Sequence, residues 1–424
     1  MRDDAALQRR TMIVLAITQV VGTVGVGIAP SIGVLLAGEV TQNEAWAGLA
    51  RTASTLGAAL IGLPLGSLAA RRGRRVALAS GWWLAAFGAA LLVASAQWSE
   101  PITLFAGLLA IGAGSAASLQ SRFAATDLAD PRHRGRSLAL IVWVGTIGSV
   151  LGPNLGAPGA VVGRATGLTT FAAAFLIAAV CLALAGALVF ALLRPDPLLR
   201  RQTTGTATAG GRPRGPRFGA VFAEIRRNPS ARLAVIAIVT AQIVMVAVMT
   251  MTPVHIAHEG GSINIIGITI SLHILGMYAL SPVVGIAADR LGARSAIAIG
   301  VVLFACSLGI GAWRPHDMSW VMASLILLGL GWSFVNVAGS ALFSAAVSDA
   351  TRASSQGGID ALSNLCGAAA AFAAGPLLVI SSFSTLSLIA AAVLAPLTVL
   401  LVIAARRGRG AGRTSPSTRR TEPS

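Results

Sequence analysis

The chain has 424 residues, 55% of them hydrophobic and 11% charged, with a mean hydropathy of +0.78. A water-soluble protein of this length needs far more charge on its surface, so a soluble fold is excluded. The net charge of +17 rests on 32 basic residues, all of them arginine, and these sit between apolar runs, which points to membrane topology and anionic lipid rather than nucleic acid.

A helix needs about 20 apolar residues to cross the hydrocarbon. Twelve such spans follow in chain order. Six lie at roughly 12–36, 45–69, 76–96, 101–125, 137–162 and 168–193. Six more lie at roughly 232–255, 262–287, 295–313, 319–346, 354–380 and 383–405. Arg2, Arg9 and Arg10 precede the first span, and no small-residue cleavage site follows a short apolar core, so it reads as an uncleaved helix. Residues 194–231 are polar and carry Pro195, Pro197, Gly210, Gly211, Pro213 and Pro216. That composition marks a cytoplasmic linker between an N-terminal bundle (1–193) and a C-terminal bundle (232–405). Within the linker, Phe218 to Arg227 reads as a short interfacial helix, and 406–424 reads as a disordered cytoplasmic tail. Cys181, Cys306 and Cys366 each fall inside a span without metal-site spacing, which makes them packing residues. The fold expected is an all-α membrane protein with 12 transmembrane helices in two pseudo-symmetric six-helix bundles.

With twelve spans both termini share one side. Arg71, Arg72, Arg74, Arg75, Arg132, Arg134, Arg136, Arg290 and Arg294 fall there, while the opposite loops hold Glu39, Glu44, Glu100, Glu259 and Asp317. Positive charge stays inside, so the termini are expected to be cytoplasmic and the protein to sit in a bacterial inner membrane.

The halves repeat each other. Gly66 and Gly73 after span 2 match Gly285 and Gly292 after span 8, both at an offset of 219. Gly152-Pro153 in span 5 answers Gly375-Pro376 in span 11, and Gly112 in span 4 answers Gly329 in span 10. Repeats in membrane proteins accompany transport, with the binding site where the repeats meet.

These residues resemble the major facilitator superfamily over about residues 11–405. The family's loop between helices two and three carries a G-x-x-x-D-R-x-G-R-type signature. The second half matches it at Gly285, Asp289, Arg290, Gly292 and Arg294, and the first at Gly66, Arg71, Gly73 and Arg74, with Ala70 in place of the Asp. The resemblance implies a cytoplasmic gate in which Asp–Arg pairs latch one conformation. The stretch Asp127 to Arg136, which includes Arg134, is similar to the family's loop between helices four and five. Asp127 and Arg122 offer a substitute pair for the missing acid. Gly148, Gly152, Pro153 and Gly156 resemble the glycine–proline helix of the antiporter branch, which implies a seam between the halves and favours export; their spacing also suits plain close packing.

Ionisable residues inside a membrane are costly and mark function. Asp360 lies in span 11 with Gln356 and Asn364 at i−4 and i+4, on one helix face expected to line the cavity. It is the first candidate for proton coupling. His273 in span 8 is the second, either as a proton site, a substrate contact or a packing residue. Gln19, Asn154, Gln242 and Asn336, with Thr23 and Gln120, are polar candidates for the cavity or ties between helices. Arg51 either binds an anionic group or snorkels outward. His255 and His258 share a face at the outer lip, where a gate or interfacial role outweighs a metal site. The family's drug exporters carry an Arg in helix four where Leu108 stands here, so any proton carrier lies elsewhere.

Secondary active transport by alternating access is therefore expected, as proton-coupled export of a small amphipathic molecule. The alternative is an uptake permease for a metabolite, and a different class is a non-transporting sensor or scaffold. No H-E-x-x-H, P-loop or G-x-S-x-G is present, which argues against an enzyme. The expected partners are substrate, proton and lipid; no nucleic acid, cofactor or metal is expected, and the chain is read as a monomer.

Overall fold

A computed structural model describes residues 2–43, 45–130, 133–203, 226, 228–347 and 349–411. Among the described residues eleven helices are long and apolar enough to cross a membrane. One of them, Ala45–Trp98, has 54 residues and is broken at Gly73 (φ 86, ψ 170), so it supplies spans 2 and 3. The total is twelve spans.

In the first half, α1 (Arg2–Gly27) continues through a π-helical turn (Ala29–Gly33) into α2 (Val34–Thr41), so span 1 runs further at both ends than its apolar core. Then come α3 (Ala45–Trp98), α4 (Pro101–Ala124) and α5 (Arg134–Leu151). A 3₁₀ turn (Gly152–Asn154) joins α5 to α6 (Gly156–Thr166), and α7 (Thr170–Leu192) is span 6. The linker opens with a short helix, α8 (Pro197–Thr203). Of the expected interfacial helix, all but Arg226 lies outside the described residues. The second half holds α9 (Pro229–His258), α10 (Ile263–Tyr278) with α11 (Ser281–Leu291) as span 8, α12 (Ala293–Trp313), α13 (Met318–Ala346), α14 (Asp349–Ile380) and α15 (Phe383–Ala411). Helix α15 passes six residues beyond the expected end of the bundle at 405; residues 412–424 lie outside those described.

Local chemistry sets the helix starts. Asn228 accepts from the backbone N–H of Ser230 (3.0 Å) and Ala231 (3.4 Å), and Asp317 from Ser319 (3.0 Å) and Trp320 (3.4 Å). Pro229 and Pro101 occupy first-turn positions where the absent N–H costs nothing. The loop glycines of the repeat are both left-handed, Gly73 at φ 86 and Gly292 at φ 84. Each half thus breaks its second and third spans with the same residue in the same region of φ.

Each half has its own apolar core. Trp82, Leu104, Leu108 and Phe175 are fully buried in the first, and Phe304, Leu325 and Val335 in the second, where Val34 and Ala47 of the first half also join. The halves meet closely at the end carrying Glu39, Glu259 and Asp317. There a Cβ on Gly48 would run into the Ala371 carbonyl, and one on Gly375 into the Ala45 carbonyl. Thr52 Oγ1 donates to the Ala368 carbonyl (2.8 Å), tying span 2 to span 11. Asn154 Nδ2 donates to Ser271 Oγ (2.7 Å), whose hydroxyl donates to the Val150 carbonyl (2.6 Å), tying span 5 to span 8. Toward the arginine-rich end the same helices part. Leu60, Leu63, Leu280, Val283 and Leu365 are exposed, and a Cβ on Gly62 or Gly285 would meet open space. The molecule is closed at its acidic end and open at its arginine-rich end.

Candidate functional site

The arginine-rich end of the first half is built around Gly73. Arg74 Nε donates to Asp127 Oδ2 (2.8 Å) and its Nη1 to Gln120 Oε1 (3.0 Å); the Asp127 side chain is 6% exposed. Asp127 thus pairs with Arg74. Asp196, from the stretch after span 6, accepts from the Arg75 backbone N–H (2.7 Å) and from Leu198 (3.0 Å) and Leu199 (3.2 Å). One carboxylate caps two helices, span 3 and α8. A Cβ on Gly73 would collide with it. The acid absent at Ala70 is replaced from a distance. Sequence reading missed Asp196, although Asp-Pro directly after an apolar span is a helix-start signal.

In the second half the equivalent loop is empty. Arg294 Nη2 donates to Ser230 Oγ (3.1 Å), while Asp289 and Arg290 are exposed. A Cβ on Gly285 or Gly292 has no neighbour within 4 Å. Arg71 is also exposed, and a Cβ on Gly66 would touch Gln120. The side chain of Arg134 lies outside those described.

Span 5 divides its glycines between two partners. Gly148 faces Thr23 and Val20, and Gly152 faces Gly27, all on α1 of the same half. Gly156, against Ile263, and Pro153 and Asn154, against Gly267, meet the second half, as do Val150 and Asn154 through Ser271. The sequence does not distinguish these faces, since four-residue spacing gives one stripe whichever helix lies against it.

The remaining polar candidates lie at different depths, Arg122 in the last turn of α4, Asp360 near the start of the apolar stretch Gly358–Ile380 and Arg51 two turns into α3. Asp360 and Asn364 on α14 are exposed. The Nε of Arg122 is buried with no hydrogen-bond partner. Arg51 of span 2 is half-buried. Tyr278 packs edge-on against Trp332 (5.7 Å between ring centroids), and Trp332 Nε1 donates to Gln242 Oε1 (2.9 Å). Asn336 is half-buried on α13 and the side chain of Gln356 lies outside those described.

Other candidates are held by local partners. Gln19 Nε2 donates to Ser118 Oγ (2.5 Å), and Thr23 Oγ1 to the Gly145 carbonyl (2.9 Å), both inside the first half. His273 is fully buried; its Nδ1–H donates to the Leu325 carbonyl (2.8 Å), which leaves Nε2 as a lone pair without a partner. Leu108 is buried against Gly33 within the first half. At the acidic lip, His255 Nε2–H donates to the Pro315 carbonyl (2.6 Å) and its ring stacks on Phe383 (4.3 Å). His316 bonds Glu259 (2.9 Å), and that hydrogen bond holds the Glu259 carboxyl below its ordinary range. A hollow of about 500 Å³ lies beside this lip, between Glu39 and Phe171 of one half and Val254 and Ile263 of the other.

Two helical bundles joined by a linker, closed at one end around a polar centre, define a polytopic transporter fold. The sequence model of the Major Facilitator Superfamily matches residues 11–263 and 247–423, and the chain belongs to that family. It is 36% identical over 407 residues to the uncharacterized MFS-type transporter YdeG of Bacillus subtilis (strain 168), covering 95% of this chain and 93% of YdeG. It is 30% identical over 403 residues to the riboflavin transporter RfnT of Brucella anthropi, covering 94% and 97%. Among solved structures, the nucleoside transporter NupG aligns with a TM-score of 0.70 at 16% identity, over 95% of this chain and 99% of NupG. A bacterial homolog of the human lysosomal transporter Spinster, in an inward-facing and unoccupied conformation, aligns at 0.67 and 16% identity, over 97% and 99%.

Proposed function

We propose that this transporter works by alternating access and couples the movement of a small amphipathic molecule to protons, with Asp360 as the carrier. The observation that carries the reading is the setting of Asp360: an exposed carboxylate on span 11, within the apolar stretch Gly358–Ile380. Charge within a membrane span is costly, and a carboxylate there can alternate between an ionised and a neutral protonated form. The parted arginine-rich end and the closed acidic end are the asymmetry that rocking bundles produce. The arginine bias supports a bacterial inner membrane with both termini cytoplasmic, which makes this an inward-facing state.

The same machinery runs in either direction. Export is supported by the likeness of span 5 to the antiporter helix, though Gly148 and Gly152 pack within their own half, so that support narrows to Asn154 and Gly156. Uptake of a metabolite is supported by the relative named for riboflavin, and the edge-on Tyr278–Trp332 pair offers an aromatic wall for a planar ring.

The test uses protein in liposomes under an imposed pH gradient, with substrate found by a thermal-stabilisation screen that includes riboflavin. Asp360→Asn abolishes gradient-driven accumulation while the protein still elutes as a folded species. Accumulation at the wild-type rate overturns the assignment.

A further inference from the structure

We infer that the arginine-rich ends of spans 1, 3 and 6 form a headgroup site for an anionic phospholipid. Arg10, Arg75 and Arg194 take its phosphodiester, and the rings of Phe190 and Trp83 take the start of an acyl chain. The site lies on the outer side of the first half and does not rest on the coupling reading above.

The three guanidiniums converge on the last turn of α7. Arg75, at the start of span 3, lies over the face of Phe190, its guanidinium carbon 4.6 Å from the ring centroid. Arg194, just past α7, reaches the same ring at 6.0 Å. Arg10 of α1 donates through Nη2 to the Leu192 carbonyl (3.5 Å). Phe190 in turn packs on Trp83 of span 3, with ring centroids 5.4 Å apart. Gly186, one helical turn earlier on α7, leaves the room that the Trp83 indole fills. Guanidinium, phenyl ring and indole thus form one stack running from the helix ends into the span. Trp83 and Phe87 on span 3 and Leu184 on α7 are exposed and continue it as an apolar surface.

The charge in this cluster is uncompensated. None of the three arginines has a carboxylate within ion-pair distance among the described residues. The acid nearest in the chain, Asp196, engages backbone instead: the N–H groups of Arg75 (2.7 Å), Leu198 (3.0 Å) and Leu199 (3.2 Å). Cations gathered at a helix C-terminus repel one another, and the helix dipole and a shared ring offset only part of that. A phosphodiester is the complement. Its oxygens accept charge-assisted hydrogen bonds from several guanidiniums at once, and its esters lay hydrocarbon on the rings beside them. General attraction of anionic lipid to basic ends needs no such platform. The repeat supplies the contrast: Arg294, 219 positions after Arg75, is exposed and donates to Ser230 Oγ (3.1 Å). Among the described residues no ring lies under it.

The experiment titrates purified full-length protein in a neutral detergent with dioleoyl phosphatidylglycerol or dioleoyl phosphatidylcholine and counts bound lipid by native mass spectrometry. Phosphatidylglycerol binds at least ~10-fold more tightly than phosphatidylcholine, whose choline neutralises the phosphate, and excess glycerol 3-phosphate does not displace it. Arg10→Gln, Arg75→Gln and Arg194→Gln each weaken phosphatidylglycerol about 5-fold, and the Arg75→Gln/Arg194→Gln double variant about 25-fold. Phe190→Leu weakens it with the charge unchanged, and Arg294→Gln leaves it as in the wild type. Equal binding of the two lipids overturns the proposal, as does a double variant that binds like the wild type. A loss in Arg294→Gln equal to that in Arg75→Gln reveals only general attraction to positive charge and also overturns it. Displacement by glycerol 3-phosphate makes this a site for soluble anions and overturns the lipid assignment. Arg10 and Arg194 are exposed, so their variants decide the question even where Arg75→Gln fails to fold.

Discussion

The carboxylate of Asp196 lies where a side chain on Gly73 would have to go. Gly73 has φ 86 and ψ 170, a conformation that costs any other residue about 1–3 kcal/mol. Gly292 shares the strain but has no neighbour within 4 Å. Gly73→Ala is therefore expected to lower the thermal midpoint more than Gly292→Ala. In an Asp196→Ala background the two costs become equal, which a double-mutant cycle reads directly. Equal costs in the wild-type background would show that Asp196 exerts no steric demand.

The Arg74–Asp127 pair is the buried ion pair of the first-half gate, with side chains 13% and 6% exposed. Arg74→Ala removes the donor that bonds the buried Asp127 carboxylate at 2.8 Å, and is expected to cost about 3 kcal/mol in thermal unfolding. Arg122→Ala, at the same end of α4, leaves the pair intact and costs less. The reverse order would mean that Asp127 draws its stability from elsewhere.

Closure of the acidic end depends on Gly48. A methyl there overlaps the Ala371 carbonyl of the other half, whereas a methyl on Gly57 overlaps the Leu109 carbonyl of its own half. Gly48→Ala is expected to shift the population toward a state open at the acidic end, tenfold for each ~1.4 kcal/mol of strain. Spin labels on Glu39→Cys and Glu259→Cys would move apart in that variant. Gly57→Ala should lower the midpoint without changing the distance.

His273 is fully buried and bonds the Leu325 carbonyl across to α13. His273→Gln is expected to destabilise the protein by about 1–3 kcal/mol and to leave the pH profile of transport where it was. A shifted profile would make His273, and not Asp360 alone, a carrier of protons.

The fold was legible because the bilayer imposes it. Span length, arginine bias and the paired glycines of the repeat are one-dimensional signals that a single sequence carries in full. Span 5 was half legible: four-residue glycine spacing declares a smooth face but not which helix meets it, and most of that face met α1. The site was less legible because it depends on rotamers and on cross-half neighbours. Arg122 reads as a gate residue until Arg74 takes Asp127. Asp196 lies 123 positions after Gly73, and nothing local to either residue announces the other.

The acidic-end closure is made largely by backbone lying on backbone, at Gly48 with Ala371, Gly375 with Ala45 and Gly267 with Pro153. Contacts of this kind have almost no reach: a gap of 0.5–1 Å already forfeits about a quarter to a half of the attraction. Such a gate has no stable ajar position, so a partly opened molecule is pushed to one side or the other before solvent can thread through it.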